Sequence, residues 1–142
     1  DPFRAADELM ETLRSQTPVV LVDFHAEATS EKQAMAWHLD GRASAVLGTH
    51  THVQTADERV LEGGTAAITD VGMTGPADSI IGMAPETVLP RFLLRLPTRF
   101  EVAGGRAQLC AVLVDVDDRS GRARSIERVQ RHTTDGASLR AS

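Results

Sequence analysis

Three of the five histidines, His25, His50 and His52, stand just beyond two short apolar runs, residues 19–22 and 45–47. A helical stretch lies between the runs, and a β-α-β unit of that kind keeps its two strands parallel. Both strands then deliver their histidines to one edge of the sheet, the edge where open α/β sheets place ligands. Adjacent strands lie about 4.8 Å apart, and an imidazole nitrogen binds a metal at about 2.0–2.1 Å. The three side chains are therefore candidate metal ligands, with His50 and His52 turned the same way by their two-residue spacing. Asp23 and His25 share a face for the same reason. Asp23 reads either as an acceptor that fixes the tautomer of a ligating histidine or as a strand-end carboxylate capping a turn. Glu27 either orients the site or is solvated. Thr49 and Thr51 could bond substrate or, as loop threonines commonly do, backbone.

The elements that must position these residues are readable. Asp1-Pro2 has the form of an N-cap followed by proline at the first helical position, and Phe3, Ala6, Leu9, Met10 and Leu13 continue at helical spacing to an end near 15–17. Residues 19–24 form a short apolar strand suited to a sheet covered on both faces. Ser30-Glu31-Lys32-Gln33 has capping-box form and opens a helix running to about Leu39, stopped by Gly41. Residues 43–47 are the second strand. Residues 60–69 read as a hairpin around Gly63-Gly64, and 70–76 as a tight glycine-rich loop. A helix is expected over 85–94, kinked or restarted at Pro90. A second hairpin is expected from 100–103 and 106–116 around Gly104-Gly105, with a last strand over 123–129. The parallel half followed by antiparallel hairpins suggests a mixed sheet or two-sheet sandwich with helices outside. The opening helix and strand read as the middle of a larger α/β fold.

Composition narrows the function. The 142 residues carry 42% hydrophobic side chains and a formal charge of −5, one domain's worth of chain with enough apolar material for a core. An acidic chain without a dense basic run argues against a stable nucleic-acid partner. No apolar run approaches the roughly 20 residues of a membrane helix, so no membrane association is expected. The single cysteine, Cys110, lies in an apolar run, reads as a buried thiol, and suits a reducing, cytoplasmic setting. The chain opens on Asp1 rather than Met, which reads as a cut or processed chain. His38, beside Trp37 in the second helix, reads as a helix-face residue, and His132 falls in a polar stretch without a chemical case. There is no G-x-S-x-G elbow, no Walker loop and no G-x-G-x-x-G.

Three blocks together resemble one family. The segment Val22-Asp23-Phe24-His25-Ala26-Glu27-Ala28-Thr29-Ser30-Glu31-Lys32 is similar to the central block of YmdB-like metallophosphoesterases. Gly48-Thr49-His50-Thr51-His52-Val53 resembles their second histidine block, and Thr69-Asp70-Val71-Gly72-Met73-Thr74-Gly75-Pro76 a third. The likeness covers about residues 1–130. It implies a calcineurin-like α/β fold, a four-layer αββα sandwich of the metallophosphoesterase type, represented here by its C-terminal part. It implies a hydrolase acting on phosphodiesters such as 2′,3′-cyclic nucleotides through a dinuclear centre of two divalent or trivalent metal ions, Fe, Mn or Mg, with Zn an option. His25 and His50 would bind one metal and His52 the other. Imidazole ligands independently favour a transition metal over magnesium or calcium.

By this reading, residues 1–130 are the C-terminal half of a single metallophosphoesterase domain and 131–142 a disordered tail. The amino-terminal half of the family pattern, with its first Asp ligand, a Glu-Asn pair, an Asn-His block and the histidine expected as general acid, has no counterpart here. No catalytic residue is therefore assigned within the chain, and the 142 residues alone are expected to be inactive. A homo-oligomer is among the expected states, because strand edges left open can pair with another copy. The rival readings are another two-metal phosphoester hydrolase, including capsule-synthesis-like proteins with a similar G-x-H-x-H-V segment, and a non-catalytic regulatory metal-binding protein. Structural zinc normally needs four closed protein ligands, which weighs against the last.

Overall fold

The structure, a computed structural model, describes residues 1–133. It divides into two compact units, Asp1–Gly72 with Val112–Arg128, and Met73–Ala111 with the residues from Val129 on.

The first unit begins with α1 (Pro2–Arg14), capped as its sequence predicts: the Asp1 carboxylate accepts the amides of Phe3 at 2.8 Å and Arg4 at 3.2 Å, and Pro2 opens the helix. There follow β1 (Leu21–His25), α2 (Thr29–His38), β2 (Ala45–Thr49), β3 (Arg59–Val60) and β4 (Ala66–Ile68). The sheet order is β1-β2-β4-β3. β1, β2 and β4 run parallel, with His25 opposite Thr49 in register, and β3 returns antiparallel to β4. The expected β-α-β unit is therefore present, and so is the short hairpin around Gly63-Gly64. The capping box is displaced. Ala28, not Ser30, is the N-cap of α2, and Glu31 Oε2 accepts the Ala28 amide at 3.4 Å. The Glu31 carboxylate two residues earlier than the expected partner, Gln33, starts the helix one half-turn sooner.

Alternation along β2 separates two cores. Val46 faces the helices and joins Met10, Val20, Met35, Ala36, Leu39, Ala43, Leu61 and Ala67. Ala45 and Leu47 face the other way, against Ala66, Ala123, Val114 and Ile126. The last three belong to the parts of β6 (Ala107–Val116) and β7 (Ala123–His132) that lie in this unit. Within the unit the layers are thus helices, parallel sheet and hairpin. Period-two alternation of a buried strand produces this arrangement, because each face must find its own apolar cover.

The second unit holds β5 (Gly75–Pro76), α3 (Pro85–Leu94) and the remainder of β6 and β7, in a sheet of order β5-β6-β7. Here one expectation is corrected. Residues 100–103 do not form a hairpin with β6. They lie instead along 82–84, through Ala84 N–H to Glu101 O at 2.8 Å and Ala103 N–H to Gly82 O at 3.0 Å, and β6 takes β5 and β7 as neighbours. The 117–122 turn between β6 and β7 is secured by the Asp117 carboxylate, which accepts the amides of Arg119 and Ser120. α3 runs through Pro90 without restarting and ends on Arg95 in a left-handed conformation, φ 57°. Cys110 is buried, as expected. β7 continues to His132, three residues past the expected end, so Arg131 and His132 are strand rather than tail. The rest of the expected tail lies outside the described residues. No helix among the described residues is long and apolar enough to cross a membrane.

Candidate metal centre

The carboxyl ends of β1 and β2 bring two of the three predicted ligands together. His25 Nε2 and His50 Nδ1 lie 3.3 Å apart, with the rings at 70° and centroids 5.1 Å apart. Two imidazole nitrogens on one metal, with bonds of about 2.0–2.1 Å, are separated by about 2.8–3.4 Å for octahedral to tetrahedral angles. The donor chemistry and the spacing of this pair both fit a transition metal. His52 is exposed, two residues further on, and takes no part in this ring contact. No group of three or more His, Cys, Asp or Glu among the described residues is arranged to hold a metal by itself. The pair is thus a partial ligand set.

Behind His25 stands a short relay. Thr49 Oγ1 lies 3.1 Å from His25 Nδ1 and donates to Asp23 Oδ1 at 3.4 Å. With its proton directed to Asp23, the Thr49 oxygen presents a lone pair to the ring, which assigns the His25 proton to Nδ1 and leaves Nε2 facing His50. This is the role expected for an oxygen acceptor behind a ligating imidazole. Asp23 therefore acts on His25 through Thr49, a route that sequence spacing alone does not reveal. Glu27 is exposed on the connection to α2. The Thr51 hydroxyl is engaged locally, donating to Val53 O at 2.9 Å and accepting the Val53 amide at 3.3 Å, the backbone role weighed for it from the sequence. His38 packs away from the site, against Phe3 and with its Nε2 2.9 Å from Asp7, as a helix-face residue should.

The loop carrying His50 and His52 is conformationally costly. His50 has φ 145° and His52 φ 64°, regions that non-glycine residues rarely occupy and that persist only where their surroundings over-determine them. Asp70, in the third sequence block, provides such surroundings. Its Oδ2 accepts the Thr51 amide at 2.7 Å and its Oδ1 accepts the Gly72 amide at 2.9 Å. Lys32 Nζ, from α2, lies 3.3 Å from Oδ2, and both side chains are buried. Burial pushes the Asp70 carboxyl upward, but the Thr51 and Gly72 amides, with Lys32, outweigh it and hold the pKa below the ordinary aspartate value. Gly48 makes room for the arrangement. A Cβ there would collide with the Thr69 carbonyl oxygen and press on Lys32 Cδ. From the sequence, Lys32 reads as part of a capping box and Asp70 as part of a tight glycine-rich loop. A lysine on the apolar side of α2, in phase with Met35 and Ala36, was the available signal that it is buried and needs an anion.

Comparison with known proteins places the chain among close relatives. A family model described as YmdB-like protein matches residues 1–129. The chain is 59% identical over 129 residues to a Bacillus subtilis protein named 2′,3′-cyclic-nucleotide 2′-phosphodiesterase, covering 91% of this chain and 49% of that protein. It is 44% identical over 118 residues to a putative phosphatase/phosphodiesterase of Mycoplasma pneumoniae, covering 82% of this chain and 41% of that protein. The chain therefore spans about half the length of the curated relatives it matches. Among solved structures it superposes with a TM-score of 0.86 on a hypothetical protein from Thermus thermophilus, 50% identical, over 94% of this chain and 52% of that one. It superposes equally, at 0.86, on a phosphatase from Mycoplasma pneumoniae, 39% identical, over 96% of this chain and 48% of that one. The α/β class and the phosphatase-type fold expected from the sequence are those of these structures.

Proposed function

Because the chain belongs to the YmdB-like family, we propose that it supplies the carboxyl-terminal half of a metal-dependent phosphodiesterase domain acting on small phosphodiesters, 2′,3′-cyclic nucleotides among them. The observation that carries this reading is the convergence of His25 Nε2 and His50 Nδ1 at 3.3 Å, at the carboxyl ends of two parallel strands. The 59% identity to a protein named as a 2′,3′-cyclic-nucleotide 2′-phosphodiesterase supports the substrate class.

In this reading His25 and His50 hold one metal ion and His52 contributes to a second, with manganese, iron, magnesium or zinc as the candidates. Such ions, when bound, acidify water and neutralise charge on the phosphoryl oxygens. The chain's own residues prepare the ligands. Thr49 and Asp23 keep the His25 proton on Nδ1, and the Asp70 carboxylate holds the loop on which His50 and His52 sit. The remaining ligands and the acid that protonates the leaving oxygen come from the other half of the full-length protein. A cytoplasmic, water-soluble enzyme follows from the same reading.

The test is hydrolysis of 2′,3′-cyclic AMP by the full-length protein with added Mn²⁺, beside His50→Ala and a chelator control. Turnover lost in both controls supports the reading. A protein that carries metal and yet leaves the cyclic nucleotide intact points to a different phosphoester.

A further inference from the structure

A buried ion pair is a poor way to stabilise a core. Removing both charges from water costs more than the pair commonly returns, and well-packed apolar residues of similar volume do as well or better. Lys32 and Asp70 are nonetheless 2% and 1% exposed, 3.3 Å apart. What the pair offers that an apolar pair cannot is an anion held beneath the histidine loop. Asp70 takes the Thr51 amide on the same oxygen that faces Lys32, and the Gly72 amide on the other. Thr51 is the residue between His50 and His52, the two with positive φ. One carboxylate thus grips the peptide on which both strained neighbours pivot. Lys32 fixes that carboxylate from α2, while its stem runs past Gly48 at the end of β2. The Val71 amide bonds Gly48 O at 2.9 Å, and Thr55 Oγ1 accepts the Asp70 amide at 2.9 Å. The anchor therefore cannot drift relative to the strand that carries His50.

We infer that Lys32 and Asp70 are positioning residues, which set the His50-Thr51-His52 backbone in a metal-binding conformation before any metal arrives. The inference rests on the reading of His50 as a ligand, and deepens it. It also explains why two charges are kept where apolar packing would serve the fold: a preorganised ligand loop binds more tightly than one that must be ordered on binding.

The experiment uses the full-length protein and the double variant Lys32→Met/Asp70→Leu, which removes both charges at similar volume and so avoids stranding one of them. Three quantities are measured: cooperative thermal melting, hydrogen exchange of the Thr51 amide in metal-free protein, and affinity for Mn²⁺ alone by calorimetry. The double variant is expected to fold cooperatively. Its Thr51 amide should exchange at least about tenfold faster, as loss of a charge-assisted bond implies, and Mn²⁺ should bind roughly 10–100-fold more weakly. A folded variant with wild-type exchange or wild-type Mn²⁺ affinity overturns the inference. A variant that does not fold overturns it too, since the pair would then be part of the core rather than a positioning device. If the wild-type protein binds no Mn²⁺ while Thr51 exchange still responds to the substitution, the metal reading fails and the grip on the loop stands.

Discussion

His25 Nε2 faces His50 Nδ1 across 3.3 Å, although the two residues are 25 positions apart in the chain. The parallel register sets His25 opposite Thr49, and the positive φ of His50 swings the next side chain back toward its neighbour. Thr49 serves both residues, ending the strand that leads to His50 and bonding the far side of the His25 ring. The contact is thus a joint product of strand register and one unusual backbone angle.

His50→Ala is expected to weaken Mn²⁺ binding by more than the roughly 100-fold upper end seen for residues behind a ligand. His50 is exposed, so the loss should come without a large change in stability. Calorimetric titration beside a thermal melt measures both, and an unchanged affinity removes His50 from the ligand set.

The strain at His50 makes a separate prediction. Glycine occupies positive φ without a Cβ penalty, so His50→Gly should be more stable than His50→Ala by about 1 kcal/mol. Urea unfolding of the two variants decides this, and equal midpoints would mean that φ 145° is not strained in solution.

Thr49→Val removes the oxygen behind His25 while keeping the side-chain shape. Mn²⁺ affinity should fall roughly 10–100-fold, and Thr49→Ser, which keeps the hydroxyl, should recover most of it. Failure of serine to rescue would sink the relay from Asp23 through Thr49.

Gly48→Ala is expected to destabilise the protein by about 1–3 kcal/mol or more, the range for forcing an extra methyl into a packed site. The added carbon meets the Thr69 backbone oxygen rather than a flexible side-chain tip. Chemical denaturation measures the loss, and a neutral substitution would count against this close approach.

Acid stability follows from Asp57 and Asp70. Burial raises both carboxyls, but the Thr55 hydroxyl and Thr69 amide at Asp57, and the Thr51 and Gly72 amides at Asp70, prevail and leave both below their ordinary value of 3.8. A depressed folded-state pKa stabilises the protein above the unfolded value, and that contribution is lost as pH falls through the folded one. The melting temperature should therefore drop once the pH passes below 3.8, and Asp57→Asn should show a shallower decline. Parallel pH profiles would exclude Asp57 from the effect.

The outer side of β1 predicts the behaviour of the 142-residue chain by itself. β1 pairs only with β2 among the described residues. Beside it, a cavity of about 370 Å³ between α1 and the strand is lined by Leu9, Met10, Leu13, Leu21 and Phe24. An open edge next to an apolar groove invites pairing with another chain. Light scattering across a dilution series should show self-association, and a monodisperse, cooperatively unfolding monomer would overturn that expectation.

Local signals in the sequence carried far. Asp1-Pro2 announced the first cap because capping is a matter of neighbouring atoms, and the apolar runs before His25 and His50 announced two parallel strands. Only β2 is covered on both faces, however; β1 alternates exposed and half-buried positions, with Leu21 exposed, so the cover expected on its second face is absent among the described residues. The same locality explains the misplacements. Glu31 capped α2 at Ala28 instead of Ser30 by competing over a few ångströms, and residues 100–103 bonded to 82–84, a choice among partners that periodicity cannot rank. At the candidate metal centre, sequence spacing put His25, His50 and His52 at one sheet edge. Only the tertiary structure decided which nitrogens meet, that Thr49 stands between Asp23 and His25, and that Asp70 grips the Thr51 amide from 19 positions away while Lys32, 38 positions from Asp70, holds that carboxylate. The physical reason is that strand direction and helix caps are set by interactions within a few residues. Side-chain geometry at a site depends on register, burial and backbone angles fixed only when distant segments pack.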